Sequence, residues 1–294
     1  MKTKQLFLNG TILMMAISLS LTSCRPKEKP DNDTSGATDN SLADKSFEDM
    51  GQISNEAASG GLSSYKLVGN EGLLSTCAIV THDTALNKIT VDFGSVNCLC
   101  NDSRYRRGKI FISYSNSVMS EPYTYWDTLT QITITTTPDN SYFVGNDANN
   151  MHQVIGTKTV INNGHIGTAG HMTWTVAVNG QIIKANSQGT ITWTSNRVRE
   201  WLTGEGTQSW MDDSYGVTGS ANGTSANGTP FSMNITSQLV RKISCIRWFV
   251  SGTFEFKPGN KPTRYVDFSP PSNGACDNEA WVTINSTVYK IHMN

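Results

Sequence analysis

Apolar positions along this chain follow two rhythms. Between Ser41 and about Ala58 they fall at helical spacing, with Phe47, Met50, Ile53 and Ala57 on one narrow stripe. Ser41 with Asp44 fits a capping box, and Gly60-Gly61 stops the run. The pattern predicts a short helix over 41–59 that needs a larger body to dock on. From Leu62 onward the period becomes two. Ile89, Val91 and Phe93 alternate with Thr90 and Asp92, and Ile110 and Ile112 with Phe111 and Ser113. Ile132 and Ile134 alternate with Thr133 and Thr135, while Met172, Trp174, Val176 and Val178 alternate with Thr and Ala. This is the pattern of antiparallel strands with one face to a core and one to water. Asn163-Gly164, Asn179-Gly180, Asn222-Gly223 and Asn227-Gly228 predict hairpin turns. Residues 62–294 are therefore expected to be all-β, a meander or sandwich of roughly a dozen or more short strands.

An internal echo suggests two similar halves. Cys77, Val91-Asp92-Phe93, Cys98 and Asn101-Asp102 precede a strand around Ile110–Ile112. Cys245, Val266-Asp267-Phe268, Cys276 and Asp277-Asn278 precede another around Trp281–Ile284. Same order, drifting spacing: the pattern points to a duplicated supersecondary unit.

Ahead of the helix the pattern is different again. Lys2 and Lys4 precede an apolar run from Phe7 to Leu21, and Leu21-Thr22-Ser23-Cys24 follows. The run is shorter than the ~20 apolar residues that span a bilayer. These zones read as a secretory signal over 1–23, and the tetrapeptide resembles the bacterial lipobox, which implies diacylglycerol on Cys24 and cleavage before it. Residues 24–40 carry no side chain more apolar than alanine beyond Cys24 itself and are rich in Pro, Asp, Asn, Lys and Thr. Such a composition predicts a disordered tether. Cleavage would remove two lysines and no acid, leaving 21 basic against 24 acidic residues. That balance excludes a nucleic-acid footprint, which needs a basic face. The expected partner is the membrane, reached through lipid at Cys24.

The blocks Ile89-Thr90-Val91-Asp92-Phe93-Gly94 with Arg106-Arg107-Gly108-Lys109-Ile110, Arg197-x-Arg199-Glu200-Trp201, and Ser244-Cys245 through Cys276-Asp277-Asn278 make the chain resemble an uncharacterised family of Bacteroidota cell-envelope lipoproteins. The resemblance implies an all-β lipoprotein of the outer membrane, on its periplasmic or its surface face. It carries no catalytic residues with it.

Five cysteines follow Cys24. Outside the cytoplasm they can pair, and Cys245 with Cys276, and Cys77 with Cys98 or Cys100, each bracket an expected hairpin. Cys98-x-Cys100 has no partner pair of the kind a zinc site uses, and His165 and His171 sit among glycines, so no metal or cofactor is expected. Glu200 and Glu205 flank Trp201, and Asp212-Asp213 are adjacent, but no spacing sets two acids across a cleft. The G-x-S-x-G nucleophile pattern is absent from the sequence, and no enzyme is expected. Trp126, Trp201 and Trp210 stand in polar surroundings, unlike Trp174 and Trp193, which share faces with aliphatics. The expected role is structural, adhesive or scaffold-like, with another envelope protein or a glycan as partner; in the glycan-binding alternative, exposed Trp201 and Trp210 stack on sugar. A hydrolase is the remaining alternative.

Overall fold

The computed structural model describes residues 31–59, 73–120, 122–165, 170–207, 209, 211–245, 249–270, 276–277 and 279–292. Residues from Asp33 onward form one compact unit. The signal segment, Cys24, residues 25–30 of the expected tether, Gly60-Gly61 and Trp210 lie outside the described residues.

Among the described residues the fold is all-β apart from one long helix and two single 3-10 turns. Helix α1 spans Ser35–Ala58. The strands are β1 (Ile79–Asp83), β2 (Lys88–Asp92), β3 (Cys98–Leu99), β4 (Tyr105–Arg107), β5 (Lys109–Asn116), β6 (Thr130–Thr136), β7 (Phe143–Asp147) and β8 (Asn150–His165). After them come β9 (Met172–Ile183), β10 (Thr190–Thr203), β11 (Ser214–Thr224), β12 (Pro230–Lys242), β13 (Phe249–Pro258), β14 (Arg264–Asp267), β15 (Glu279–Ile284) and β16 (Thr287–His292). All sixteen belong to a single sheet in the order β1-β2-β5-β6-β8-β9-β10-β11-β12-β13-β14-β15-β16, with β3, β4 and β7 forming a side branch onto β8. The topology is a meander, and its longest strands, β8 to β12, occupy the middle.

One face of the sheet holds the helix. Ala43, Phe47, Met50, Ile53 and Ala57 of α1 are buried with Ile89, Val91, Ile110, Ile112, Ile134 and Val154 of the strands, and Phe47 stacks on Trp193 at 5.7 Å. The helix packs against β2, β6, β8, β9 and β10. It begins six residues before the expected start, so residues 35–40 are helix and not tether. Composition misled here because Asp39 and Asn40 are buried with partners. Lys184 Nζ donates to Asp39 Oδ1 at 2.9 Å, the Ala226 amide to Asp39 Oδ2 at 2.8 Å, and Trp193 Nε1 to Asn40 Oδ1 at 2.9 Å. Thr34 makes no side-chain cap; Asp33 Oδ1 instead accepts from the Ser35 amide at 3.0 Å. The expected capping box at Ser41 therefore lies inside the helix.

Of the four Asn-Gly pairs expected to turn hairpins, one does. Asn227-Gly228 turns β11 into β12, with Gly228 at φ 84. Asn163-Gly164 is a bulge in β8, where the register slips between Asn162 and Gly164. Asn179-Gly180 and Asn222-Gly223 run through β9 and β11. Gly180 is small for packing: a Cβ there would run into the Phe47 ring and the Ile155 carbonyl.

The residues of the internal echo lie at the two edges of the sheet. β1-β2-β5-β6 at one edge and β13-β14-β15-β16 at the other are four-strand antiparallel runs. In each, a cysteine before the first strand bonds one just after the second: Cys77 to Cys98, with Cα atoms 6.0 Å apart, and Cys245 to Cys276, at 5.1 Å. Asp92 and Asp267 each accept the amide two residues on, as do Asp102 and Asp277. Cys100 is the buried free thiol, its sulfur 4.0 Å from that of Cys98.

Candidate functional site

Helical spacing puts Asn40, Asp44 and Glu48 in one column of α1. Period two does the corresponding work on β10, where Ile191, Trp193, Ser195 and Arg197 are buried and the intervening Thr192, Thr194 and Asn196 are not. Arg199 continues that inner row. Register then extends the row across neighbouring strands: Trp174 pairs with Arg199, Arg199 with Val217, and Val217 with Leu239. One step along, Trp201 pairs with Tyr215 and Tyr215 with Arg241.

These rows bring charge to the helix. Arg197 Nη2 donates to Asp44 Oδ1 at 3.3 Å. Glu48 is met by three cations: Lys158 at 3.0 Å, Arg241 at 3.5 Å and Arg199 at 3.6 Å. Lys158 Nζ also donates to the Phe47 carbonyl at 3.1 Å. Asp49 pairs with Arg104. The Arg199 guanidinium lies 3.9 Å over the Tyr215 ring and 5.6 Å from that of Trp174, so its planar face is covered as well. Burial works against a charged Glu48, yet the fields of Lys158, Arg199 and Arg241 hold its carboxyl down at about 2. Burial pulls the Arg197 and Arg241 guanidinium pKa values below their usual range, with Asp44 and Glu48 opposing the respective shifts.

Beside this polar contact a cleft of about 110 Å³ opens between α1 and the inner face of β9 to β13. Its walls are Val176, Val178, Val217, Leu239, Phe249 and Phe254, and Lys158, Arg197, Arg199 and Arg241 stand along its helix side. Arg197 is 6% exposed, and its Nε and Nη1, like the Oγ of buried Ser195, make no hydrogen bond among the described residues. Such an arrangement can hold an anion. Comparison of the chain with known families, curated proteins and solved structures gives no match.

The expected site residues fall elsewhere. Trp201 is 5% exposed, its ring packed on Trp174 at 6.2 Å and Tyr215 at 5.5 Å. It therefore offers no open face for a sugar, which corrects the expectation of an exposed stacking platform; it is inward because β10 continues its alternation through the polar stretch. Trp126 is half-buried, edge-on to Tyr125 at 4.6 Å. Glu200 accepts from Gln238 Nε2 at 3.0 Å, Glu205 pairs with His165, and Asp212 accepts from Thr207 Oγ1. These acids serve separate local contacts. Among the described residues no group of three His, Cys, Asp or Glu side chains could hold a metal ion. Arg197 and Arg199 were overlooked as a site, although a signal was present: two arginines at i and i+2 in a strand share one face, and Trp193 and Ile191 on that face mark it as inward.

The outer face of the sheet carries a second feature. Ser220, Asn222, Ser232, Asn234, Glu255 and Lys257 line a polar trough of about 310 Å³. Next to it, Tyr265, opposite Glu255, is 54% exposed, and Trp281, opposite Asp267, is 36% exposed.

Proposed function

We propose that this chain is a lipid-tethered protein of the cell envelope, anchored to the outer membrane through Cys24, whose sheet serves a structural or adhesive role. The observation that supports this reading most is the direction of its chemistry. Asp39, Asp44, Glu48 and Asp49 are turned onto cations of the sheet's inner face. What the long central strands present outward is Thr, Ser and Asn, as along Thr190, Thr192, Thr194 and Asn196 of β10. A broad hydroxyl and amide surface on a disulfide-bonded sheet suits contact more than turnover. Residues 25–32, eight in number, separate Cys24 from Asp33; fully extended they reach about 28 Å.

Two measurements test it. Cys24→Ala should abolish incorporation of an alkyne fatty acid and release the protein from membranes; persistent labelling would end the anchoring proposal. Photo-crosslinkers placed at Thr194 and Asn196 should trap an envelope macromolecule in growing cells, and no product at either position would count against a contact role. A second reading, glycan binding, is favoured by exposed Tyr265 and Trp281 beside the polar trough. There, Tyr265→Ala should erase any signal of the full-length protein on a glycan array.

A further inference from the structure

We propose that the cleft beside α1 is a binding site for a small amphipathic carboxylate, whose charged group pairs with Arg197 and whose apolar body lies against Val217, Leu239 and Phe254.

The first argument is unmet hydrogen bonding. A guanidinium has five N–H donors and stays charged at any physiological pH. Asp44 engages Nη2 of Arg197, while Nε and Nη1 are buried and find no acceptor among the described residues. Ser195, two residues back on the same inner face, has a buried Oγ in the same condition. Buried polar groups in folded proteins nearly always have partners, and leaving a charged one unmet is costly. Both residues line the cleft. An oxyanion there would take a charge-assisted hydrogen bond from Nη1 and a second from the Ser195 hydroxyl.

Charge balance gives the sign of the ligand. Lys45, Lys158, Arg197, Arg199 and Arg241 line the cleft against two carboxylates, Asp44 and Glu48. Glu48 is shared among three of those cations. The surplus is positive, and in a poorly solvated cleft it favours a bound anion.

The walls give the rest of the molecule. Val217, Leu239 and Phe254 offer no hydrogen bonds to a second polar group, which disfavours a sugar or a nucleotide. The space is about 110 Å³; an engineered apolar cavity of ~150 Å³ takes up benzene. The body is therefore of the size of one aromatic ring or a short acyl chain.

The test uses the full-length protein in lipid nanodiscs, titrated with benzoate and with hexanoate, and followed by calorimetry and by ligand-observed NMR. Saturable binding is expected for at least one of them, with hexan-1-ol and acetate each at least tenfold weaker. Arg197→Gln should lower the affinity at least tenfold. Because that variant removes a partner of Asp44 and could perturb folding, Val217→Phe provides an independent check: it fills the cleft, leaves Arg197 in place, and should also abolish binding. The proposal is overturned if neither acid saturates, if acetate binds as well as benzoate, which would indicate an adventitious ion only, or if binding survives Val217→Phe.

Discussion

Glu48→Gln is the substitution that most directly probes how the helix is held. The change is nearly isosteric but removes the carboxylate charge that faces Lys158, Arg199 and Arg241. Lys158 is almost wholly buried and Arg241 largely so, and neither gains water when the partner is lost. The Glu48 carboxyl lies at about 2 in the folded protein against an ordinary 4.5, which corresponds to about 3 kcal/mol of stability at neutral pH. That agrees with the ~3–5 kcal/mol typical of breaking a buried pair. Because folding lowers this pKa, the contribution is complete above the unfolded value of 4.5 and is lost as pH falls toward 2. By linkage roughly 1.4 kcal/mol should remain at pH 3. Asp33 and Asp92 are also held low, chiefly by Lys261 and Lys109, and also lose stabilisation in acid. They do so in both proteins, so the difference between wild type and variant isolates Glu48. Urea unfolding at pH 7, 5 and 3 should show a gap of about 3 kcal/mol at neutral pH that narrows by more than half at pH 3. A gap that stays constant with pH would refute the electrostatic account and leave packing as the cause.

Replacing Cys245 and Cys276 together by serine should reduce stability by about 3–4 kcal/mol, the chain-entropy value for a 31-residue separation; peptide mapping under non-reducing conditions should recover the linked pair from the wild type, and two free thiols there would contradict it. Tyr125→Phe removes a buried hydroxyl bonded to Ser54 Oγ and Asn55 Oδ1, both at 2.8 Å. Thermal melts should show a loss of about 1–3 kcal/mol, and an unchanged midpoint would mean that those groups find other partners. Gly180→Ala sets a methyl group against the Phe47 ring and the Ile155 carbonyl; we expect about 1–3 kcal/mol of destabilisation and a faster-exchanging α1 by hydrogen exchange, and a stabilised variant would disprove close packing at this point.

Much of the architecture was legible because period two is a property of the chain itself. Ile89 and Val91, Ile110 and Ile112, and Ile132 and Ile134 are buried as their alternation predicts. The glycines were not legible in the same way. Asn179-Gly180 has the composition of a hairpin turn, yet the residue is small because Phe47, 133 positions earlier, comes down on it. Nothing local distinguishes a glycine that frees the backbone from one that makes room for a distant ring. Trp201 failed for a related reason. Glu200 before it is polar but alternates onto the outer face, and the ring's own face is set by strand phase.

The helix shows most clearly where local reasoning stops. A composition rule asks what a segment can bury by itself, and residues 35–40 can bury almost nothing alone. Their acids and amides go inside because the sheet supplies partners. Lys158, Arg199 and Arg241 are separated by 41 and 42 residues in sequence and sit on three different strands. They meet one carboxylate only because the registers of β8 to β12 align them. Each of those cations would be expensive to bury without an acid opposite, and each acid of α1 without a cation. Register and helix docking are thus bound into one requirement. The same registers place Arg197 two residues short of the Glu48 cluster, where Asp44 neutralises it with a single contact. Glu48, drawn to three other cations, is not available to complete it. The surplus donor capacity of Arg197 is a by-product of how the helix charges are apportioned, and Arg197 lines the same cleft as Val217, Leu239 and Phe254.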